Sequence, residues 1–556
     1  MGGAEGGTFR CVCFGLACLF YAAHALGAQA GPEQQVNTYT THVQTFPAVC
    51  TDSSGNFVVV WESGNPLGPG QDGSYSGIFG QRFATGSTRR GSEFAVNTYT
   101  ADYQTYPKVA CAADAAFVVV WGSFGQDGSS EGVFAQRFAG DGAPAGSEFK
   151  VNSYTTGAQS YPTVASDADG NFIVAWTSSG QDGDADGVFA RRYASSGTAL
   201  GPEFRVNTYT TGNQGYAAVA SDPSGNFVIA WQSAGQDGSA AGVFAQRFNS
   251  SGAPSGSEFR VNTTTLGDQG YPAVSMDDSG RFIIVWSSRD QDGDGLGIVG
   301  RRYGADGNPS GGELIINTYA TSDQVFPDVA AEGAGDFVVT WASYGGEDGN
   351  DAGVFARRFA SNGSPMGTEF QVNSYTTAAE YSPAVSMTAA GDFVISWASP
   401  QVGGDSFEIV SRWYAAPTPT NTTTPFPTTT ATPRPTTSAT PSVTRTRTAT
   451  RPPTATSSPS PLPAATETPT TVPSSTPTAT ATPTATDTEP PSPTPTPPRP
   501  GDCNLDGRVT VDEILLAVNI ELGEASVTDC EAADRNRDRQ VTIEELVSAV
   551  MAAISS

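Results

Sequence analysis

An unbroken apolar run that ends in tryptophan recurs seven times along the chain, at intervals of 55 to 60 residues. In the third copy, apolar and polar residues alternate over 161–166, residues 172–176 are apolar throughout, and residues 188–193 are mixed. A fourth short run, 203–207, ends the unit, and turns rich in Gly, Asp, Asn and Pro separate the runs. The pattern predicts four short strands per unit, the second covered on both faces. The tryptophans are Trp61, Trp121, Trp176, Trp231, Trp286, Trp341 and Trp397.

The two ends of the repeat array predict a closed ring. A four-stranded sheet cannot cover its own faces, so neighbouring units must stack in a ring or in an open solenoid. The seventh unit stops after its third strand, residues 407–414, whereas residues 33–37 supply a spare fourth strand before the first unit. A ring uses this spare strand to join its first and last units. The sequence therefore predicts a mainly β fold, a seven-bladed β-propeller over residues 31–416, which resembles bacterial secreted propellers of the FG-GAP and integrin-like type.

Polar residues that repeat in every unit are predicted to serve the scaffold, because a site for one ligand must break the symmetry. An Arg late in the third strand and a Glu that opens the fourth are predicted to form structural ion pairs. A Gln that opens the first strand either forms hydrogen bonds between blades, which is favoured, or lines the channel mouth to bind a ligand. These sets are Arg82, Arg137, Arg192, Arg247, Arg302, Arg358 and Arg412; Glu33, Glu93, Glu148, Glu203, Glu258, Glu313 and Glu369; and Gln44, Gln104, Gln159, Gln214, Gln269 and Gln324, with Glu380 in the seventh unit.

The loop between the second and third strands begins like a calcium loop in two units. Its Asp-x-Asp-x-Asp-Gly pattern supplies oxygen ligands, but Ala190 stands where integrin-like propellers carry an acid at the ninth position. The alternatives are a weak calcium site in each loop and a glycine-rich turn whose Asp side chains bind the local backbone. The residues concerned are Asp182, Asp184 and Asp186 in the third unit, and Asp290, Asp292 and Asp294 in the fifth.

Composition sets two further segments apart. Residues 1–30 carry Arg10, an apolar run over 11–26 and small residues before position 31, which is the order of a secretory signal peptide. A membrane anchor is the alternative, although the apolar run is shorter than the ~20 residues that a spanning helix needs. Residues 417–500 are mostly Thr, Pro, Ser and Ala, which predicts a disordered, polyproline-like linker. The mature protein is therefore predicted to be secreted, extracellular or on the cell surface, with no membrane span after cleavage.

Charge and histidine content exclude several function classes. The formal net charge is −28, and such an acidic chain repels nucleic acid, so no nucleic-acid partner is expected. The chain has 2 histidines, and only His42 lies beyond the predicted signal peptide. Catalytic triads based on histidine and metal sites with several histidines are thereby excluded from the mature protein.

Two twelve-residue segments near the C-terminus, 502–513 and 534–545, carry the spacing of calcium loops. Side-chain oxygens at positions one, three and five, a backbone carbonyl at seven and a bidentate carboxylate at twelve surround one Ca²⁺. Each loop is followed by a predicted amphipathic helix, which makes a chance match of both unlikely. The ligands are Asp502, Asn504, Asp506, Arg508 and Glu513 in the first loop, and Asp534, Asn536, Asp538, Gln540 and Glu545 in the second.

This duplicated loop and helix, placed after a Thr/Pro linker, resembles a type I dockerin and more loosely a paired EF-hand. The resemblance covers residues 501–556 and implies a small α-helical domain that folds on calcium and binds a cohesin-like or other surface protein. A disulfide between Cys503 and Cys530 is predicted, since an oxidising compartment favours it. No pairing is predicted for Cys50 and Cys111, because they are offset by one residue along the first strand and are expected to point to opposite faces.

Two functions follow from this reading. The favoured hypothesis is a non-catalytic propeller for recognition or adhesion that binds a glycan or protein ligand and is attached through the calcium-dependent docking module. The alternative is a dockerin-bearing enzyme that degrades polysaccharides, a glycoside hydrolase or lyase, which needs two carboxylates at the channel mouth. No distinct acid pair is recognised in the repeats, where the departures from the pattern are Glu380, Asp268, Asp323 and the loop 403–408. No catalytic residue is therefore predicted.

Overall fold

The computed structural model describes residues 29–64, 70–400 and 406–416. They belong to the first of two compact units, Met1–Thr430. The predicted signal peptide, the Thr/Pro linker, both C-terminal calcium loops and the pair Cys503 and Cys530 lie outside the described residues. Within the described part of the chain, no helix is long and apolar enough to span a membrane.

The described residues form seven antiparallel sheets of four strands each, so the predicted seven-bladed propeller is confirmed. Strands follow one another in chain order within blades 1 to 6. Blade 1 contains β2 (Val43–Thr51), β3 (Phe57–Gly64), β4 (Ser76–Ala84) and β5 (Thr88–Ala95); blade 2 contains β6 (Gln104–Cys111), β7 (Phe117–Phe124), β8 (Glu131–Phe138) and β9 (Phe149–Lys150); blade 3 contains β10 (Gln159–Ser166), β11 (Phe172–Ser179), β12 (Asp186–Tyr193) and β13 (Phe204–Arg205).

The remaining blades have the same plan. Blade 4 contains β14 (Gln214–Ser221), β15 (Phe227–Ala234), β16 (Ala241–Phe248) and β17 (Phe259–Arg260); blade 5 contains β18 (Gln269–Met276), β19 (Phe282–Arg289), β20 (Leu296–Tyr303) and β21 (Leu314–Ile315); blade 6 contains β22 (Gln324–Ala331), β23 (Phe337–Tyr344), β24 (Ala352–Phe359) and β25 (Phe370–Gln371); blade 7 contains β26 (Tyr381–Met387), β27 (Phe393–Ser399), β28 (Glu408–Ala415) and β1 (Gln29–Gln35).

The N-terminal strand β1 closes the ring, as predicted. It pairs antiparallel with β28, with Glu33 opposite Arg412 and Gln35 opposite Val410, and so provides the outermost strand of blade 7. The strand begins at Gln29, so the predicted start of the mature chain near Gly31 falls within it. The closing strand is thus longer at its N-terminal end than the predicted residues 33–37.

The apolar core lies between blades rather than within them. Each of the seven repeated tryptophans is at most 1 % exposed. Trp121 of blade 2, for example, packs against Val58 and Ile78 of blade 1, and Trp61 of blade 1 packs against Ile409 of blade 7. Because each sheet buries one face against each neighbour, the second strand is apolar on both sides, as its unbroken hydrophobic run predicted.

A β-bulge in each innermost strand turns one side chain into the channel. In blade 3 the pairing of β10 with β11 shifts between Ser160 and Thr163, and Tyr161 in the bulge has a φ of 49°. A bulky residue in this left-handed region costs about 1–2 kcal/mol, and the same conformation occurs in all seven blades, with φ from 49° to 53°. The residues concerned are Phe46, Tyr106, Tyr161, Tyr216, Tyr271, Phe326 and Ser382. Neighbouring rings among the six aromatic residues lie 4.8–5.3 Å apart, and we call these six the aromatic collar.

Cys50 and Cys111 form a disulfide between the innermost strands of blades 1 and 2, with Cα atoms 5.5 Å apart. The expectation that their side chains point apart was wrong. Adjacent strand residues do point to opposite faces of a sheet, but neighbouring blades meet through opposite faces. An offset of one residue in the repeat therefore brings the two side chains together across the boundary.

The predicted series of Arg–Glu ion pairs is also corrected. Among the described residues, the ion pairs are Arg412 with Glu33 and Arg281 with Asp277. Arg412 lies opposite Glu33 in the sheet, whereas the other repeated arginines lie one position later, on the face away from the Glu. Instead, Arg137 for example donates a hydrogen bond to the backbone carbonyl of Ser195 in the next blade (2.6 Å).

Candidate active site

One hydrogen-bonded frame recurs at the end of the ring where the innermost strands begin with Gln, which we call the Gln face. Asn152, at the end of blade 2, donates its Nδ2–H to Gln159 Oε1 of blade 3 (3.0 Å) and to Asp127 Oδ2 (3.0 Å). Its Oδ1 accepts the backbone N–H of Val133 (2.8 Å). The repeated Gln side chains are fully buried. Their predicted role in hydrogen bonding between blades is confirmed.

The acids that the sequence analysis singled out belong to this frame. Glu380 occupies the Gln position of blade 7, where it accepts hydrogen bonds from Asn373 (2.9 Å) and Ser399 (3.2 Å). Burial raises the pKa of Glu380 to about 8. Asp323 accepts a backbone N–H from the loop of the preceding blade (2.8 Å), and the carbonyl of Asp268 accepts the N–H of Arg289 (2.9 Å). The structure brings no two of these acids together as a pair.

The candidate calcium loops of blades 3 and 5 use their acids for hydrogen bonds. Asp182 and Asp292 accept Nδ2–H bonds from the frame asparagines (2.9 and 2.6 Å). Asp184 and Asp294 accept backbone N–H bonds from the loop that enters the next blade (2.9 and 3.0 Å). Asp186 begins β12, and the N–H of Asp290 closes the hairpin turn of blade 5. No group of three or more His, Cys, Asp or Glu among the described residues is arranged to hold a metal ion, and calcium binding here stays a prediction.

Glu62 is an acid that breaks the repeat at the boundary of blades 1 and 2. It follows Trp61 in β3, and the residues in the equivalent position of the other blades are Gly122, Thr177, Gln232, Ser287, Ala342 and Ala398. The backbone N–H of Tyr106 in blade 2 donates to its carboxylate. Oε2 of Glu62 is buried and has no hydrogen-bond partner among the described residues. A buried carboxyl oxygen without a partner favours the protonated form.

Glu131 brings a second carboxyl group to the neighbouring boundary from a different strand. It begins β8, and its side chain lies over Gly122 of β7, where Thr105 donates a hydrogen bond to Oε1 (3.4 Å). A Cβ atom at Gly122 would lie only 1.9 Å from that oxygen. The missing side chain of Gly122 therefore makes room for Glu131 at the same position that Glu62 occupies one blade earlier.

Both carboxyl groups have raised pKa values. Burial raises the pKa of Glu62 to about 7, hydrogen bonds from the N–H of Tyr106 and from Ser76 oppose this shift, and the charge of Glu131 adds a smaller contribution to it. Burial likewise raises the pKa of Glu131 to about 7, against the hydrogen bond from Thr105. A carboxyl group that titrates near neutrality can act as a general acid or as a general base near neutral pH.

Glu131 lines a cavity of about 700 Å³ on the Gln face. The volume is within the range of small-molecule sites in proteins. Glu62 is not among its lining residues, but it accepts the backbone N–H of Tyr106, which is one of them. The cavity is lined by Asp102, Tyr103, Thr105, Tyr106, Phe124, Gly125, Ser129, Ser130, Glu131 and Tyr161.

Sequence reasoning missed Glu62 and Glu131, although one signal could have found the first. With the seven units aligned on their tryptophans, Glu62 is the acid at the position after Trp, where every other unit is neutral. Glu131 has no such signal, because Asp186 and Glu408 also begin third strands. Its role depends on the glycine beside it in the sheet, and only the strand register shows that contact.

No protein-family model and no curated protein matches the chain. Similar solved structures include a protein of unknown function from Dyadobacter fermentans DSM 18053 (9% identity, 70% of this chain and 99% of that chain, TM-score 0.44). They also include an α-L-arabinanase of Penicillium chrysogenum complexed with arabinobiose (14% identity, 59% and 97%, TM-score 0.40) and a polysaccharide lyase (12% identity, 68% and 91%, TM-score 0.41). At these identities the likeness concerns the fold alone.

The prediction of a non-catalytic recognition or adhesion propeller is corrected. Its premise was that no acid pair departs from the repeat, and Glu62 with Glu131 is such a pair. The premise of the favoured hypothesis therefore fails, and the enzymatic alternative is kept as a proposal.

Proposed function

We propose that the propeller is an extracellular enzyme that degrades polysaccharides, a glycoside hydrolase or lyase, with its site on the Gln face beside blades 1 and 2. The observation that carries this proposal is the presence of two buried carboxyl groups with raised pKa values, Glu62 and Glu131, of which Glu131 lines the cavity. Both groups depart from a scaffold that otherwise repeats.

Cleavage of a glycan needs proton transfer at two points, and the pair supplies the groups for it. In a hydrolase, one carboxylic acid protonates the glycosidic oxygen while a second carboxylate attacks the sugar or activates water. In a lyase, a base removes a proton from the sugar ring. Glu131 lines the cavity and is the group placed to touch the substrate. Glu62 is the second carboxyl group, and burial together with the charge of Glu131 raises its pKa to about 7, so that it too can carry a proton near neutral pH.

Glu131→Gln and Glu62→Gln test the proposal, because each removes a titrating group and keeps its size. We expect kcat to fall by about 10²- to 10⁴-fold, the usual contribution of acid–base catalysis. The assay measures new reducing ends and unsaturated products from neutral and uronate-containing polysaccharides. Wild-type activity should also fall as the pH rises above about 7, because the carboxylic acid then loses the proton that it donates.

Glu408→Gln is the matched control. Glu408 begins the third strand of blade 7 as Glu131 does in blade 2, but it is hydrogen-bonded to Gln35 and Asn37 of the closing segment. Its replacement should leave kcat unchanged. Wild-type protein that cleaves none of the polysaccharides, or variants of Glu62 and Glu131 that turn over like wild type, would contradict the proposal.

We further propose that residues 501–556 form a dockerin-like module that holds two Ca²⁺ ions and attaches the enzyme to a cohesin-like or other surface protein. The support is the pair of loops in the sequence, with carboxylates such as Asp506 and Glu513 at ligand positions. A Cys503–Cys530 disulfide would join the first loop to the segment that leads to the second. Residues 1–30 would direct secretion, and 417–500 would separate the enzyme from its anchor.

Calorimetric titration of the full chain with calcium tests this module. We expect binding with a Kd no weaker than about 10⁻⁴ to 10⁻³ M, as in extracellular calcium modules. The double change Glu513→Gln and Glu545→Gln removes the bidentate carboxylates and should abolish most of the heat. Asp182→Asn with Asp292→Asn reports on the propeller loops in the same assay. Equal heats from wild type and from the Glu513/Glu545 variant would refute the assignment.

A further inference from the structure

Three aromatic side chains form a cluster on the outer side of the cavity. Tyr75 stacks on Tyr103 with ring centroids 4.8 Å apart, and Tyr103 meets Phe124 edge-on at 5.9 Å. Tyr75 is 41% exposed and Phe124 is 36% exposed. Aromatic rings packed on one another usually serve a core, but these present a large apolar surface to solvent. We call Tyr75, Tyr103 and Phe124 the outer cluster.

Two members of the outer cluster depart from most of the repeat. The position of Tyr103 is occupied by Asp268 and Asp323 in blades 5 and 6, and Tyr75 is replaced by Ala185 and Ala240 in blades 3 and 4. Since the scaffold folds with small or acidic residues at these positions, the rings of Tyr75 and Tyr103 are not needed for the blade, whereas the position of Phe124 is also aromatic in blade 6, where it is Tyr344. The three rings coincide with the boundary that carries Glu62 and the blade that carries Glu131.

The lining of the cavity therefore contains aromatic rings from two groups together with Glu131. Tyr103 and Phe124 of the outer cluster line it, and so do Tyr106 and Tyr161 of the aromatic collar, whose rings are 4.8 Å apart. Flat apolar rings flanking a proton donor suit a row of sugar rings, which present apolar C–H faces to aromatic side chains and hydroxyl groups to their edges.

Charge at the cavity narrows the class of glycan. Asp102 and Glu131 are the carboxyl groups that line it, and the described lining residues include no Lys, Arg or His. A polyanion would meet these acids with no cation to neutralise its own charge, which costs binding free energy. The lining fits an uncharged glycan.

We propose that the cavity binds a neutral glycan chain, one sugar ring of which stacks on the outer cluster while the collar tyrosines Tyr106 and Tyr161 contact a neighbouring part of the chain. The inference rests on the proposed function and narrows it. A lyase of the eliminating kind needs a uronate, whose carboxyl group acidifies the proton to be removed. A neutral substrate leaves hydrolysis as the reaction.

Affinity electrophoresis of the full chain tests this binding without requiring turnover. The Glu131→Gln protein is run through gels that contain arabinan, a neutral glycan, or polygalacturonate, a polyanion. We expect arabinan to retard it and polygalacturonate to have no effect. Adding Tyr103→Ala or Phe124→Ala should weaken retardation by about tenfold, the loss typical of removing an aromatic anchor. Tyr103→Phe keeps the ring and should restore binding.

Tyr344→Ala is the control, because Tyr344 holds the position of Phe124 in blade 6 and packs against Tyr381 of blade 7 (6.1 Å). It should be retarded like the parent protein. Retardation that is unchanged by Tyr103→Ala and Phe124→Ala, that is stronger with polygalacturonate, or that is absent with arabinan overturns the inference. If the outer cluster governs binding while wild-type protein cleaves no glycan, the proposed function fails and the binding site stands.

Discussion

Blades 1 and 2 have the same backbone arrangement as blades 3 to 5 but carry different side chains at equivalent positions. In blade 4, Gln232 follows the tryptophan, and its Oε1 accepts the N–H of Tyr271 in the next blade (3.3 Å). Glu62 in blade 1 accepts the equivalent N–H of Tyr106. The same contact is made in both, but a carboxyl group can also take up or release a proton, which an amide cannot. A chemical group can thus be placed in the ring without altering the scaffold.

Several departures from the repeat lie together at one boundary, while others, such as Glu347 and Glu380, lie in blades 6 and 7. The boundary of blades 1 and 2 holds Glu62, the outer cluster and the disulfide, and blade 2 adds Glu131 over Gly122. The equivalent positions in blades 3 to 5 are mostly small or neutral. This contrast teaches that, in a propeller with closely similar blades, the site is found where neighbouring blades stop being alike.

The largest expected effect comes from removing the Cys50–Cys111 disulfide, which links blade 1 covalently to blade 2. A disulfide that spans 61 residues restricts the unfolded chain by about 4 kcal/mol in the chain-entropy estimate. Cys50→Ser with Cys111→Ser should therefore lower the free energy of unfolding by about that amount, measured by urea denaturation.

Ser386→Ala provides the comparison for the disulfide at the boundary of blades 7 and 1. The hydroxyl groups of Ser386 and Thr51 occupy the equivalent contact and lie 3.0 Å apart. Losing this hydrogen bond should cost only about 1 kcal/mol. If the double cysteine variant is destabilised no more than Ser386→Ala, the disulfide does not make the boundary of blades 1 and 2 more stable than the boundary of blades 7 and 1.

The next effect tests the space that Gly122 leaves for Glu131. Gly122→Ala adds a Cβ that would lie 1.9 Å from Oε1 of Glu131, so the carboxyl group must move. A displacement of this size in a catalytic group costs about 100-fold in kcat. Ser287→Ala changes the same position in blade 5 and should leave kcat at the wild-type value. Full activity in Gly122→Ala would show that the placement of Glu131 is not critical.

The buried carboxyl group of Glu131 should also lower the free energy of unfolding at high pH. Blade boundaries that carry neutral residues at these positions should show no such effect. The folded-state pKa of Glu131 is about 7, above its ordinary value of 4.5. The stability that its bound proton provides is therefore fully present below pH 4.5 and is lost as the pH rises through about 7. Glu131→Gln should raise the free energy of unfolding at pH 8 by about 3.5 kcal/mol, since the pKa is raised by about 2.5 and one pKa unit is worth about 1.4 kcal/mol, with little gain at pH 4. Equal gains at both pH values would contradict the buried acid.

The smallest effect concerns blade 6, where one repeated hydrogen bond is altered. Gln71 and Gln181 donate to Glu93 and Glu203 (2.6 and 2.7 Å), but blade 6 has Glu347 facing Glu369. Burial raises the pKa of Glu347 to about 7, and its Oε2 has no hydrogen-bond partner among the described residues.

Glu347→Gln restores the hydrogen bond of the other blades. Because the raised pKa of Glu347 makes its contribution to stability fall as the pH rises from 4.5 to about 7, the variant should gain about 1 kcal/mol at pH 8. Thermal unfolding at pH 5 and pH 8 measures the difference, and no change at pH 8 would rule out repulsion between the two acids.

The ring could be predicted from sequence because its signals are periodic and local. Seven tryptophans fixed the blade count, and the spare segment 33–37 indicated closure, which the pairing of Glu33 with Arg412 confirmed. The ion pairs and the state of Cys50 and Cys111 were misjudged, because they depend on which faces of neighbouring sheets meet. That information lies in three dimensions and not in the spacing of residues along the chain.

The site was harder to predict than the fold for a related reason. The side chain of Glu131 occupies the space beside Gly122, a residue of β7 that has no side chain. The sequence of β8 alone gives no sign of this contact. Glu380 drew attention because it departs from a visible row of Gln residues, yet it only replaces one hydrogen-bond acceptor with another. A departure from a repeat marks a functional residue only when the neighbouring side chains also leave room for a ligand.

Closure by β1 also determines the order in which the molecule can fold. Gln35 finds its partner at Val410, so blade 7 cannot be completed until nearly the whole ring has been synthesised. Contacts between residues so far apart in sequence form slowly, because the entropy of the long intervening loop must be lost first. Until then β1 and the edge of β28 remain unpaired strands, which are prone to wrong pairing with other chains. The last step of folding is therefore the one most exposed to aggregation, and it is the step a cell would need to protect.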